Sequence, residues 1–211
     1  MKKRVIIFVN GNLSDISQAK KIIKKEDFLI AADGGANHIK KLGLTPNLVI
    51  GDMDSIDHNL LKKFPTVIKY PRKKDKTDFE LGIDFCLEKK FQEIIIFGIL
   101  GDRIDHMFAN IFLLAKIQAE NESIKIKIIE GKKEIFIVNK EIIIDGKIGD
   151  EVSIIPVSEK LVGITTVGLE YQLKNEELIF GSTRGISNVM NKTIVKITMK
   201  KGAALIEHNS L

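Results

Sequence analysis

Over roughly the first 120 residues, short continuous apolar runs alternate with amphipathic stretches, and few layered folds accept that alternation. The runs are Val-Ile-Ile-Phe-Val at 5–9, Phe-Leu-Ile-Ala-Ala at 28–32, Leu-Val-Ile at 48–50 and Ile-Ile-Ile-Phe at 94–97. None alternates with polar residues, and β-branched side chains dominate, so each reads as a strand buried on both faces. Between them, Ile16, Ala19, Ile22 and Ile23 recur at helical spacing, and Ile39 and Leu42 suggest a short helix ended by Gly43. Phe79, Ile83, Cys86 and Leu87 form one helical face behind Thr77 and Glu80, which match an N-terminal capping box. Phe108, Ile111, Leu114 and Ala115 give a last stripe. The expected class is α/β, with a mainly parallel sheet covered by helices on both faces.

After about Asn121 the texture changes. The stretches 124–129 and 195–199 alternate apolar and polar residues with a period of two, and 134–138, 142–144, 152–157 and 178–180 are short strand candidates separated by Gly, Asp and Asn. No helical stripe interrupts them, so an all-β sandwich follows the α/β part. The expected domains are residues 1–121 and 122–211.

Composition narrows the classes further. No apolar run approaches the ~20 residues of a membrane helix, and the run behind the basic start is too short for a signal peptide. One cysteine, Cys86, fits a reducing compartment, so a cytoplasmic protein is expected, with Cys86 in the core. The net charge of +5 comes from lysines scattered in pairs such as Lys20-Lys21 and Lys200-Lys201, the pattern of a solvated face. Aromatic residues make up 6% of the chain and Trp is absent, which leaves no base-stacking platform. Neither a nucleic-acid nor a membrane partner is expected.

Ligands of open α/β sheets bind beyond the carboxyl ends of the strands, and acids gather there. The second strand runs into Asp33-Gly34-Gly35-Ala36-Asn37, the third into Gly51-Asp52-Met53-Asp54-Ser55, and Asp75-Lys76-Thr77-Asp78 opens a helix after Tyr70-Pro71. The strand at 94 leads to Gly98 and Gly101-Asp102-Arg103-Ile104-Asp105-His106. One aspartate at a helix start is ordinarily a cap; four such loops on one edge are a cluster, which is unfavourable without a cation. Phosphoryl or pyrophosphoryl transfer fits, because Mg²⁺ takes one or two carboxylates together with substrate phosphates. Asp52 and Asp54 leave the sheet at i and i+2 and can address one ion, with Asp78 completing the set. Glycines 34, 35, 98 and 101 let backbone approach a nucleotide, and Arg103 offers a fork of donors for phosphate. A G-x-x-x-x-G-K-[ST] loop, a G-x-G-x-x-G turn after the first strand and zinc-ligand spacing are all absent.

These loops, in this order and spacing, resemble the thiamine pyrophosphokinase family. The match runs through Asp33 to Asn37, Pro46 and Gly51 to Ser55, Asp75 to Asp78, and Gly101 to His106. It continues through Thr166-Val-Gly168-Leu169-Glu-Tyr171-Gln-Leu173 and Ser187-Asn188, spanning about residues 4–207. The resemblance implies an N-terminal nucleotide domain and a C-terminal β-sandwich that supplies a thiamine pocket across a homodimer interface. It implies that Asp52, Asp54 and Asp78 hold Mg²⁺, and that Asp33, Gly34, Gly35, Asn37, Thr77, Arg103, Asp105 and His106 lie around ATP. Ser187 and Asn188 would contact thiamine. The implied reaction is attack of the thiamine hydroxyl on the β-phosphorus of ATP with AMP leaving, and Asp75 or Asp78 orienting the hydroxyl or taking its proton. Asp102 stands where the family usually has a second glycine, and Tyr171 where many relatives have Trp.

Three other readings compete. Asp52-Met-Asp54 also resembles the nucleophile and acid of haloacid-dehalogenase phosphatases, but those follow the first strand of their fold, whereas here two strands precede. A pyrophosphokinase acting on another hydroxymethyl heterocycle shares the acid pattern. A basic RNA- or partner-binding module would leave the acid-rich edge unexplained.

Overall fold

The computed structural model describes residues 3–56, 61–101 and 103–211; Asp102 and His58 therefore lie outside the described residues. Contacts divide the chain into one unit of Met1–Asn110 with Ile128–Gly131, and a second of Ile111–Lys127 with Lys132–Leu211.

The first unit runs β1 (Arg4–Phe8), α1 (Ile16–Ile22), β2 (Phe28–Ala32), α2 (Gly35–Lys41), β3 (Leu48–Gly51), β4 (Val67–Lys69), α3 (Asp78–Glu88) and β5 (Glu93–Phe97). β1 pairs in parallel with β2 and β5, β2 with β3, and β3 with β4. The strand order is thus β5-β1-β2-β3-β4, and every loop after a strand leaves from one edge of the sheet. Because strand side chains alternate, the buried runs supply two faces. Ile6, Phe8, Ala31, Val49 and Phe97 pack with Ala19 of α1 and Ala36 and Ile39 of α2. The alternate residues Ile30 and Ile50 lie beneath Gly82 of α3. Cys86 on α3 is buried, and burial pushes its thiol up to about 12.

Two features depart from the sequence reading. β4 has only three residues, none of them buried, and offers no apolar run to detect. On α4 (Ile104–Glu120), Leu114 and Ala115 are buried as expected, whereas Phe108 of the same stripe is half-exposed. No helix among the described residues is long and apolar enough to cross a membrane.

Beyond β6 (Lys125–Glu130), the second unit contains β7 (Lys133–Val138), β8 (Glu141–Asp145), β9 (Glu151–Pro156), β10 (Lys160–Val167), β11 (Glu176–Ile179), β12 (Asn188–Val189), β13 (Ile194–Thr198) and β14 (Ala204–Asn209). Antiparallel pairing gives the orders β7-β14-β9-β12 and β8-β13-β10-β11. Inward residues Val152, Ile154, Leu161, Ile164, Val195 and Ile206 form a sandwich-like core. β10 is interrupted at Gly163 by a bulge and β14 ends in Glu-His-Asn, so neither shows a clean period in sequence.

The polar end of β14 is nevertheless buried. His208 Nε2 lies 3.0 Å from Asp150 Oδ2, which also accepts from the Lys147 amide at 2.8 Å, while Asp150 Oδ1 accepts from the Leu211 amide at 3.2 Å. Burial pushes the Asp150 carboxyl up, but these donors outweigh it and hold the group below its usual range. A depressed native pKa stabilises the fold above the unfolded value of about 4, and that contribution fades as pH falls toward the native value. Asp150→Asn should therefore cost about 1–3 kcal/mol at neutral pH. In urea unfolding the gap from wild type should narrow as pH drops below about 4; a gap independent of pH would mean that the ionised carboxylate is not the source.

Candidate active site

The acids arrive at one edge because β2 and β3 are parallel neighbours, with Ala32 in register with Ile50. One residue past β2, Asp33 adopts φ +44°, a left-handed conformation that costs a non-glycine residue of order 1–3 kcal/mol. It is pinned there by its own amide, which donates to Ile50 O at 2.9 Å, and by its carbonyl, which accepts from the Ala36 amide at 3.1 Å. Met53, between the two aspartates that follow β3, is also left-handed at φ +69°. Asp52 Oδ1 accepts from the Asp54 amide at 3.1 Å, and the Ser55 hydroxyl donates to Asp54 Oδ1 at 3.1 Å. The Asn37 side chain of α2 donates from Nδ2 to Ser55 O at 3.2 Å and ties the two loops together.

Two glycines make this convergence possible. Gly51 has φ +147°, and a Cβ there would lie 2.9 Å from the Asp78 carboxyl carbon and 3.1 Å from Asp33 Cβ. A Cβ on Gly35 would lie 2.0 Å from Phe8 O, so α2 can seat against the end of β1 only without a side chain.

Carboxylate oxygens of Asp33, Asp52 and Asp54 all fall within 4.8 Å of one another. Asp78 enters from α3, where the Thr77 hydroxyl accepts from the Glu80 amide at 3.1 Å, the first half of the expected capping box. Burial raises the Asp78 carboxyl above its usual range, with Lys74 partly offsetting the effect. Asp52 is lowered, chiefly by the Asp54 amide and also by Lys74. Oδ1 of Asp33 and Oδ1 of Asp78 are buried without a hydrogen bond. For Asp78 the nearby cation is Lys74 Nζ at 3.1 Å, close enough for an ion pair but not aligned as a hydrogen bond. Hard oxygen donors with unsatisfied buried lone pairs fit a Mg²⁺-type cation. The metal-reach triad differs from the expected one, with Asp33 grouped beside Asp52 and Asp54, and Asp78 flanking them.

The remaining candidates are more scattered. Asp75 is exposed ahead of α3, and Arg103 pairs with Asp105 at 2.6 Å, both largely exposed, with His106 exposed beside them. Ser187 is left-handed at φ +52°, its amide donating to Ser153 Oγ at 3.0 Å. Asn188 is buried, with Oδ1 accepting from the Tyr171 amide at 3.0 Å and Nδ2 donating to Tyr171 O at 2.7 Å. Its amide shapes the loop that presents the exposed Tyr171 ring. Sequence reading did not single out Lys74, which stands in the basic run Arg72-Lys73-Lys74 of a lysine-rich chain. A cavity of about 660 Å³ lined by Arg4, Phe28, Phe85 and Phe91 lies at the amino ends of β1 and β2, away from the acids.

A parallel sheet whose carboxyl edge gathers four aspartates, followed by an antiparallel β unit, fits the class of metal-assisted phosphoryl-group transferases. Residues 19–128 match the thiamin pyrophosphokinase catalytic domain and residues 139–204 its vitamin B1 binding domain. The thiamine pyrophosphokinase of Bacillus subtilis is 34% identical over 84% of this chain and 85% of its own length. Thiamin pyrophosphokinase 1 of Caenorhabditis elegans is 26% identical over 96% of this chain and 87% of its own. The crystal structure of the B. subtilis enzyme aligns with a TM-score of 0.87 at 29% identity, covering 99% of this chain and all of that one. The chain belongs to the thiamin pyrophosphokinase family.

Gly35→Ala should disrupt this edge, since backbone rather than a flexible side chain blocks the added methyl. A loss of stability of about 1–3 kcal/mol is expected, together with loss of amide protection in α2 by hydrogen exchange. Wild-type stability and protection would show that α2 can shift freely and that the close approach is not required.

Proposed function

We propose that the carboxylate edge of the first unit carries out the family's reaction, pyrophosphoryl transfer to thiamine, with ATP as donor and AMP as leaving product. The carrying observation is the convergence of Asp33, Asp52 and Asp54 on one point, with Asp78 beside them. Asp52, Asp54 and Asp78, joined by Asp33, would hold Mg²⁺, which when bound neutralises charge on the transferring phosphates. Gly34, Gly35, Asn37, Thr77, Arg103, Asp105 and His106 surround ATP in this reading. The close seating of Gly35 on the end of β1 fixes the start of α2 beside these acids. With Asp78 engaged at the cation, Asp75 is left to orient the thiamine hydroxyl or accept its proton. Catalysis then rests on positioning and charge complementarity rather than a covalent intermediate.

For the acceptor, Ser187 contacts thiamine and Asn188 acts by fixing the Tyr171 loop. The organisation is a nucleotide domain of residues 1–121 and a thiamine domain of 122–211, in a cytoplasmic homodimer. The family match and the position of Asp52 after the third strand, not the first, count against a phosphatase.

The reading is tested by AMP release from ATP and Mg²⁺, with and without thiamine, in wild type and Asp52→Asn. AMP and thiamine diphosphate should appear together, only with thiamine, and fall on the order of a hundredfold or more in the variant. Release of inorganic phosphate indifferent to thiamine would overturn it.

A further inference from the structure

Among the described residues, Lys74 is the cation set between two of the acids: its ammonium lies 3.1 Å from Asp78 Oδ1 and 3.7 Å from Asp52 Oδ2, on a side chain 14% exposed. It also donates to Pro71 O at 3.2 Å, so the loop ahead of α3 is folded back to deliver it. Arg72, the other basic residue near the cluster, is a different case. It lies 3.8 Å from Asp54, and its side chain is 84% exposed, so the pair is largely screened.

We infer that Lys74 is the resting counter-cation of this site, and that its ammonium and a divalent metal are alternative partners for the same oxygens of Asp52 and Asp78. The inference rests on the metal reading given above. Carboxylates this close repel unless a cation lies among them. A tethered ammonium supplies one without a ligand, keeping the acids in place before substrate arrives. It also opposes a free divalent ion, because entry requires displacing a paired charge of like sign. Metal is therefore favoured when it arrives with nucleotide phosphates, whose negative charge offsets the ammonium and accepts its hydrogen bonds. Lys74 is thus a positioning residue that couples metal binding to nucleotide binding.

Calorimetry with Mg²⁺ alone, on the intact chain without nucleotide, tests this. Lys74→Met should bind Mg²⁺ on the order of tenfold more tightly than wild type, and in EDTA should melt several degrees lower. Lys74→Arg, which keeps the charge, should return both properties toward wild type. Lys73→Met, an exposed neighbour with the same net-charge change, should leave both unmoved. Equal or weaker Mg²⁺ binding by Lys74→Met overturns the inference while leaving the metal reading intact. Failure of both wild type and Lys74→Met to bind Mg²⁺, even with a non-hydrolysable nucleotide, overturns both. Should Lys74→Met not fold, acetylation of wild type is read residue by residue. Lys74 should become more reactive on adding Mg²⁺ while Lys73 does not; unchanged reactivity of Lys74 counts against displacement.

Discussion

Like charges held a few ångströms apart repel, and the carboxylate edge of the first unit exists only because the backbone leaves its acids no other place. Asp33 is fixed by hydrogen bonds to Ile50 O and from the Ala36 amide in a conformation it would not choose alone. Asp52 is fixed by the turn it caps, and Asp78 by the first turn of α3 beside a residue that must be glycine. The first two restraints trace to the parallel register of β2 and β3, which sets the ends of neighbouring strands level. The buried apolar faces stabilise that register, and the strain stored at the edge is the functional counterpart of their packing.

Much of this was legible in sequence because buried parallel strands announce themselves. The runs at 5–9, 28–32 and 94–97 needed no context, and glycine next to aspartate after each of two strands marked the edge. β4 was not legible: a strand of three residues without buried side chains leaves no periodic trace, although it delivers the loop bearing Lys74 and Asp78. β14 escaped for the opposite reason, since it buries His208 on a polar stretch and pairs its Nε2 with Asp150, a partner distant in sequence.

The site itself divides along the same line. Residue types and spacing pointed to the acids, because carboxylates at strand ends have a chemical meaning before any coordinates exist. Which oxygens meet is a three-dimensional property, and it places a carboxylate oxygen of Asp33 within reach of those of Asp52 and Asp54. Lys74 was hidden by its neighbours: in a chain rich in lysine pairs, one half-buried ammonium looks like any other until its distances are known. Asn188 was found by motif, and its hydrogen bonds to the Tyr171 backbone appear only in three dimensions.

The placement of β14 bears on how the second unit is made. It pairs with β7 on one side and β9 on the other, yet follows both in the chain. During synthesis β7 and β9 emerge with a gap between them that no earlier segment can fill. Their inward edges stay open until β14 leaves the ribosome, so this sheet cannot close co-translationally strand by strand. Its non-local pairings favour slow closure, and for that interval the nascent chain exposes two strand edges, the surface that chaperones shield.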